Sequence, residues 1–169
     1  LHDALPIYQV GHDEFRNQVE RLFGPLTPDP GSNFETTPRS HYGIHPQRQE
    51  GLSYAGLHIP VGRLKAADLQ DLASASLNYG SGEVRLTEEQ NAIIVGIENQ
   101  KIESFKADPL LNRFPIEPQH ISAGTVSCTG NTYCGFVLTN TKDTSLSLAQ
   151  DLDAELNPSP HLNIQWTGC

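Results

Sequence analysis

Basic residues are scarce in this chain: 11 Lys and Arg face 20 Asp and Glu among 169 residues, a formal net charge of −9. That balance argues against a nucleic-acid partner or an anionic membrane surface. No apolar run approaches the roughly 20 residues a membrane-spanning helix needs. No basic segment followed by an apolar one opens the chain, so no secretory signal is read. The three cysteines, Cys128, Cys134 and Cys169, are few and odd in number, which together with the missing signal points away from a disulfide framework. A Ser–His–Asp arrangement, a P-loop and a dinucleotide glycine fingerprint are all lacking. With 37% hydrophobic and 18% charged residues, the chain has enough apolar material for a packed core. Twelve prolines and fourteen glycines imply many turns between short elements.

Both ends look irregular. Residues 1–7, Leu-His-Asp-Ala-Leu-Pro-Ile, resemble the conceptual translation of a sequencing adapter and are set aside from the fold argument. At the other end, Trp166-Thr167-Gly168-Cys169 follows a strand-like run with no polar tail and reads as interrupted.

Between the ends, Phe15, Val19, Leu22 and Phe23 predict an amphipathic helix over 11–24, stopped at Gly24-Pro25. Residues 25–50 have no period and read as a long loop or inter-domain crossing. A strand is expected over 52–59, with Tyr54, Leu57 and Ile59 turned inward. Next comes a helix over 65–79 whose buried face is Leu69, Leu72, Ala73, Ser76 and Leu77, with Gly80 as its cap. Strands over 83–87 and 92–97 and a helix over 98–107 complete a β-α-β-β-α order. That order is an α+β layer with helices on one face of a short sheet. Residues 108–125 read as loop. A long helix over 140–156, with Leu148, Leu152 and Leu156 in line and Asn157-Pro158 as its stop, precedes a strand over 161–166.

The segment Cys128-Thr129-Gly130-Asn131-Thr132-Tyr133-Cys134-Gly135 carries the chemistry. Thiolates ligate iron–sulfur clusters, and glycines beside them let backbone N–H groups approach the sulfurs. The C-x₅-C spacing alone leaves three readings open: a cluster site, buried structural cysteines, or zinc, for which the spacing is wide. The seven histidines add no metal site. His41 and His45 are four apart, but they lie in a Pro- and Gly-rich loop where helical spacing does not apply.

Taken with Trp166-Thr167-Gly168-Cys169, the Cys128–Gly135 segment resembles the cluster signature of ferredoxin–nitrite reductases. In that family the signature continues Thr-Gly-Cys-Pro-Asn-x-Cys, and this chain stops at its first cysteine. The stretch from Gly51-Leu52-Ser53-Tyr54 through Glu83-Val84-Arg85-Leu86-Thr87-Glu88-Glu89-Gln90-Asn91 resembles the ferredoxin-like half-domain of nitrite and sulfite reductases, and His45-Pro46-Gln47-Arg48-Gln49 resembles its approach. The resemblance divides the chain into residues 8–44, the end of a preceding domain and a crossing; residues 45–108, the half-domain; and residues 109–169, the start of a sirohaem and 4Fe-4S domain.

What the resemblance implies is a six-electron reduction of nitrite to ammonia at a sirohaem coupled to a 4Fe-4S cluster and fed by ferredoxin. The parent would be a monomer of a bacterial or cyanobacterial cytoplasm, or of the plastid stroma. Cys128, Cys134 and Cys169 become three cluster ligands, with the fourth beyond the chain end, and the fragment alone is expected to be inactive. Thr167 stands beside the third ligand as a contact to the macrocycle. Arg85 alternates with Val84 and Leu86, which are expected to face the core. It therefore suits either a cofactor face, gripping the carboxylates of sirohaem, or solvent. Gln90 and Asn91 follow as further cofactor candidates, while Arg63 and Lys65 read as surface charges. No catalytic residue is assigned. Two competing readings stand beside this one. Sulfite reductase shares fold and cofactors, although the Cys-Thr-Gly-Asn-x-x-Cys-Gly wording leans to nitrite. The other is a ferredoxin-like binding module without turnover.

Overall fold

The computed structural model describes residues 9–26, 41–156 and 162–169. The chain divides into two units, residues 1–39 and 40–169. In the first, helix α1 (His12–Phe23) carries no buried residue and holds an Arg21–Glu14 ion pair at 2.6 Å along one face. The predicted apolar stripe is present but open, with Leu22 and Phe23 at 80% and 82% exposure. Gly24 stops the helix at φ 87°, a conformation that favours glycine.

The second unit is built on an antiparallel sheet in the order β1-β2-β4-β3, formed by β1 (Gly43–Pro46), β2 (Leu52–Leu57), β3 (Val84–Leu86) and β4 (Ala92–Glu98). Strand β1 lies inside the stretch read from sequence as loop. Its Gly-Ile-His-Pro has little strand character of its own, and pairing with β2 from Gly43↔Gly56 to Pro46↔Ser53 creates it. Residues 27–40 of that expected loop lie outside the described residues. Between Ser53 and Ala55 the β2/β4 register shifts, with Gly96 at φ 73° in the bulge.

Helix α2 (Ala66–Tyr79) packs on β4. Its buried face is Asp68, Leu72, Ala75 and Ser76, whereas Leu69 and Leu77 are 53% and 73% exposed, so the helix is turned from the expected orientation. The reason is Asp68. Its carboxylate accepts from Lys65 N–H at 2.8 Å, capping the helix, and pairs with Arg113 at 2.5 Å, which fixes that face inward. The core comprises Ala55, Leu57, Ile59, Leu72, Ile94, Ile97, Phe105, Leu110 and Phe114. Phe105, fully buried on the short helix α3 (Ile102–Lys106), meets Tyr79 edge to face at 5.4 Å. Burying one such ring contributes about 1.5–3 kcal/mol. Val84 packs partly against this core, but Leu86 is 72% exposed, contrary to the alternation expected of β3.

Beyond the sheet, the expected loop over 108–125 contains a 3₁₀ turn (Pro109–Asn112) and a short helix α4 (His120–Ala123). It leads directly into β5 (Thr125–Ser127), a strand too short to show a period. Helix α5 (Thr141–Glu155) buries Thr141, Ser145 and Ala149, not the leucine line; Leu148 and Leu156 remain 37% and 49% exposed. Small residues at that spacing let the helix lie close to β5 and α4. Strand β6 (Ile164–Trp166) pairs with β5 in parallel. The expected helix stop at Asn157-Pro158 and strand start at His161 lie outside the described residues. Among the described residues no helix is long and apolar enough to cross a membrane.

Candidate functional site

The parallel β5/β6 pair delivers two cysteines in the same direction. Ser127 is in register with Trp166, and the ladder continues as Cys128 N–H donates to Trp166 O at 3.0 Å. Cys128 thus leaves the end of β5 while Thr167-Gly168-Cys169 leaves the end of β6. Cys134 belongs to the turn that follows, where its N–H donates to Gly130 O at 3.1 Å. Gly130 holds φ 73°, and a Cβ there would meet Thr141 Oγ1 at 2.7 Å. A Cβ on Gly168 would come within 2.2 Å of Val137 Cγ1 and 2.9 Å of Thr141 Cγ2.

Fully buried Thr141, at the start of α5, is therefore the post against which these stretches pack. Its hydroxyl lies 2.8 Å from Cys128 O and 3.5 Å from Cys128 Sγ. The Cys128 thiol is held below its ordinary value, chiefly by the Thr141 hydroxyl. The N–H groups of Gly130 and Gly168 add to this, with the Lys142 ammonium nearby. Polar groups around a sulfur that favour its charged form suit a thiolate ligand.

Lys142 carries positive charge at the second position of α5, against the helix dipole, where an acidic residue is usual. Its ammonium donates to Val61 O and, at 3.2 Å, to Ser127 O. Burial and the Arg63 guanidinium pull its pKa down, and Cys128 opposes them. Arg63 itself pairs with Asp143 in the same turn of α5. A pocket of about 340 Å³ opens here, lined by Gly62, Leu86, Gln90, Ser127, Thr129 and Lys142 among others.

The sequence-derived candidates fall in different places. Gln90, Asn91 and Cys128 converge around β5, whereas Arg85 sits apart on an exposed face, paired with Glu83 at 2.7 Å. Gln90 donates to Ser127 O at 2.8 Å. Asn91 is buried: its Oδ1 accepts from Ile59 N–H at 2.9 Å, and its amide donates to Tyr42 Oη at 2.9 Å and Glu89 O at 3.0 Å. Thr167 Oγ1 lies 3.7 Å from Cys169 Sγ. Lys65 stands at the N-cap of α2, its backbone N–H donating to Asp68 Oδ2. Thr141 and Lys142 are the residues that sequence reading missed; a lysine in a helix's first turn just after a cysteine loop was the available signal. Tyr133, Phe136 and Leu138 around Cys134 are 86%, 89% and 95% exposed.

The chemistry of the donor set fits an iron–sulfur ligand at Cys128, with soft sulfur, N–H donors and an adjacent cation. Cys128 and Gly168-Cys169 are neighbours through the ladder. Among the described residues, no three of His, Cys, Asp and Glu stand close enough to share a metal ion.

A four-stranded antiparallel sheet with helices, joined to a parallel pair bearing cysteines, defines the class: a small α+β half-domain attached to a thiol-bearing layer. Residues 45–111 match the nitrite/sulfite reductase ferredoxin-like half domain. The chain is 45% identical over 164 residues to the ferredoxin–nitrite reductase of Synechococcus elongatus, covering 96% of this chain and 32% of that protein. It is 40% identical to the chloroplastic ferredoxin–nitrite reductase of Spinacia oleracea, covering 96% and 28%. The structure of Mycobacterium tuberculosis NirA protein shares the fold at a TM-score of 0.80 and 23% identity, over 96% of this chain and 31% of that one. The chain is therefore similar to nitrite/sulfite reductases, with the half-domain match lying on residues 45–111. It spans about a third of the length of the curated relatives it matches.

Proposed function

We propose that this chain is one segment of a ferredoxin-dependent nitrite reductase, comprising the half-domain over 45–108 and the opening of its cofactor domain over 109–169. The observation that carries this reading is the parallel β5/β6 pair, with Cys128 following one strand and Thr167-Gly168-Cys169 the other, and Gly130 and Gly168 both against Thr141. Identity to named ferredoxin–nitrite reductases at 45% and 40% supports the substrate and the donor.

Cys128, Cys134 and Cys169 would supply three of the thiolates of a 4Fe-4S cluster, with the N–H groups of Gly130 and Gly168 favouring the charged form of the Cys128 sulfur. Sirohaem coupled to that cluster supplies the six-electron reduction of nitrite to ammonia. On the protein side, Lys142 brings positive charge to the pocket beside Thr129, where the carboxylates of a sirohaem would be bound. Arg85, Asn91 and Thr167 remain assigned to the cofactor's surroundings, and Gln90 to the strand that carries Cys128. The enzyme works in a cytoplasm or plastid stroma.

The test is the visible spectrum and turnover of the longer enzyme containing this segment, with reduced ferredoxin and either anion. Sirohaem bands with a preference for nitrite support the proposal, and C128S, C134S and C169S should each abolish the cluster absorbance. A preference for sulfite reassigns the substrate. A colourless folded protein refutes the reading and leaves a binding module.

A further inference from the structure

Among the described residues, strand β5 has β6 on one side only. Because backbone groups of a strand alternate between its two edges, and Cys128 N–H points to Trp166 O, the N–H and C=O of Ser127 point to the opposite edge. Ser127 is 2% exposed there, so those groups need partners other than bulk water. The side chain of Gln90 bonds both, and the Lys142 ammonium shares Ser127 O at 3.2 Å. Gln90 Nε2 donates to Ser127 O at 2.8 Å, and Gln90 Oε1 accepts from Ser127 N–H at 3.4 Å. One primary amide thus stands where the peptide of a neighbouring strand would stand.

Gln90 is itself fixed. It adopts φ 65° in the β3–β4 turn, closed by Gln90 N–H to Thr87 O at 3.1 Å and Thr87 N–H to Asn91 O at 2.9 Å. Gly62 lies against it so tightly that a Cβ would come within 2.5 Å of Gln90 Cβ. A non-glycine residue in the left-handed region costs of order 1–3 kcal/mol, which the turn and this contact hold in place.

We infer that Gln90 is a positioning residue whose amide serves as the second strand neighbour of Ser127, holding the Cys128 end of β5 in register for metal ligation. This rests on the reading of Cys128 as a ligand. The cofactor reading of Gln90 needs its amide free to face the pocket; here both ends of that amide are spent on β5.

Hydrogen exchange on the full chain tests the clamp without any metal. Asparagine tolerates the left-handed backbone and keeps the amide but is one methylene short; glutamate keeps the reach but loses the donor. Q90N should speed exchange at Ser127 about tenfold, a hydrogen bond's worth, and Q90E, which keeps an acceptor for Ser127 N–H, should speed it less, while Ile94 in the sheet core stays unchanged in both. Wild-type protection at Ser127 in Q90N overturns the inference, since only the turn would then matter. If a Gln90 variant also loses protection at Ile94, G62A carries the same test: its Cβ displaces Gln90, and unchanged exchange at Ser127 overturns the clamp.

In iron-loaded protein, Q90N should shift the cluster's EPR signal and retain most of its iron. An unaltered signal overturns the link to ligation even where the clamp is real. No iron uptake by the wild-type enzyme would refute the ligand reading instead, and exchange at Ser127 would still decide the clamp.

Discussion

Asp153 fastens helix α5 to the start of α4 through Ser122. Its carboxylate accepts from Ser122 N–H at 2.9 Å, Ser122 Oγ–H at 2.5 Å and Ile121 N–H at 2.8 Å. Helix α4 leads straight into β5, so this acceptor fixes the approach to Cys128. Replacing a capping carboxylate costs about 1–2 kcal/mol, and the buried N–H groups left behind add to that. D153A should therefore lower unfolding free energy in urea by about 2 kcal/mol, and D153N, which keeps an acceptor, by about half as much. Equal losses in the two variants would show that the hydrogen bonds are not what Asp153 contributes.

Asn91 joins the sheet to α4 by a different route. Its Oδ1 caps Ile59 N–H at 2.9 Å, and its amide donates at 2.9 Å to Tyr42 Oη, which in turn donates to Ala123 O at 2.7 Å. Burial pushes the Tyr42 phenol up to about 12, so it remains a donor throughout the neutral range. N91A strands a backbone donor and a phenol oxygen together and should cost about 2–4 kcal/mol. Y42F, which removes the donor to Ala123 O and the acceptor for Asn91, should cost about 1–3 kcal/mol. The sites share partners, so the double variant should lose clearly less than the sum; strict additivity in a urea series would contradict the coupling.

His58 makes stability depend on pH. Its ring is buried, and desolvation lowers its pKa below the ordinary 6.5, although Asn91 and Asp153 oppose the shift. The Tyr42 proton is committed to Ala123 O, so His58 Nδ1, 3.4 Å from Tyr42 Oη, joins only as a donor. Below 6.5 the unfolded chain takes up a proton that the folded chain resists. Stability is therefore complete above about pH 7 and falls as the pH drops through 6.5. Urea midpoints between pH 7.5 and 5.5 should decline in the wild type and decline less in H58Q. Parallel curves would assign the acid sensitivity to other groups.

How legible was this molecule in its sequence? Strands β2 and β4 and helices α2 and α5 were, because each is long enough to show its period. Which face they bury was not. Leu69 and Leu77 should have been inside α2 by hydrophobicity, but Asp68, committed to Lys65 N–H and Arg113, took the inward face. In α5 small Ser145 and Ala149 displaced the leucines because close approach to β5 needed small residues. Strands β1 and β5, four and three residues long, draw their conformation from partners distant in sequence. The cysteines were singled out through a resemblance to a family signature. Thr141 and Lys142 were not, since what they do depends on Cys128 and Val61 being brought to them across the fold.

Two glycines near the cysteines should answer oppositely to alanine. A Cβ on Gly124, just before β5, would sit 1.9 Å from Leu162 O and 2.8 Å from Leu162 C. Backbone on both sides cannot yield as a flexible side chain would, so β6 must move away from β5. Overpacking of this kind costs about 1–3 kcal/mol and occasionally more. Gly135, beside Cys134, has nothing within 4 Å of the same position, and its backbone is outside the left-handed region. G135A should leave stability within about 0.5 kcal/mol of wild type. G124A should both destabilise the chain and loosen the ladder that ties Cys128 to Trp166, seen as faster exchange of the Cys128 amide bonded to Trp166 O. A G124A protein with wild-type exchange there would mean that the β5/β6 pairing does not depend on the absence of a side chain at residue 124.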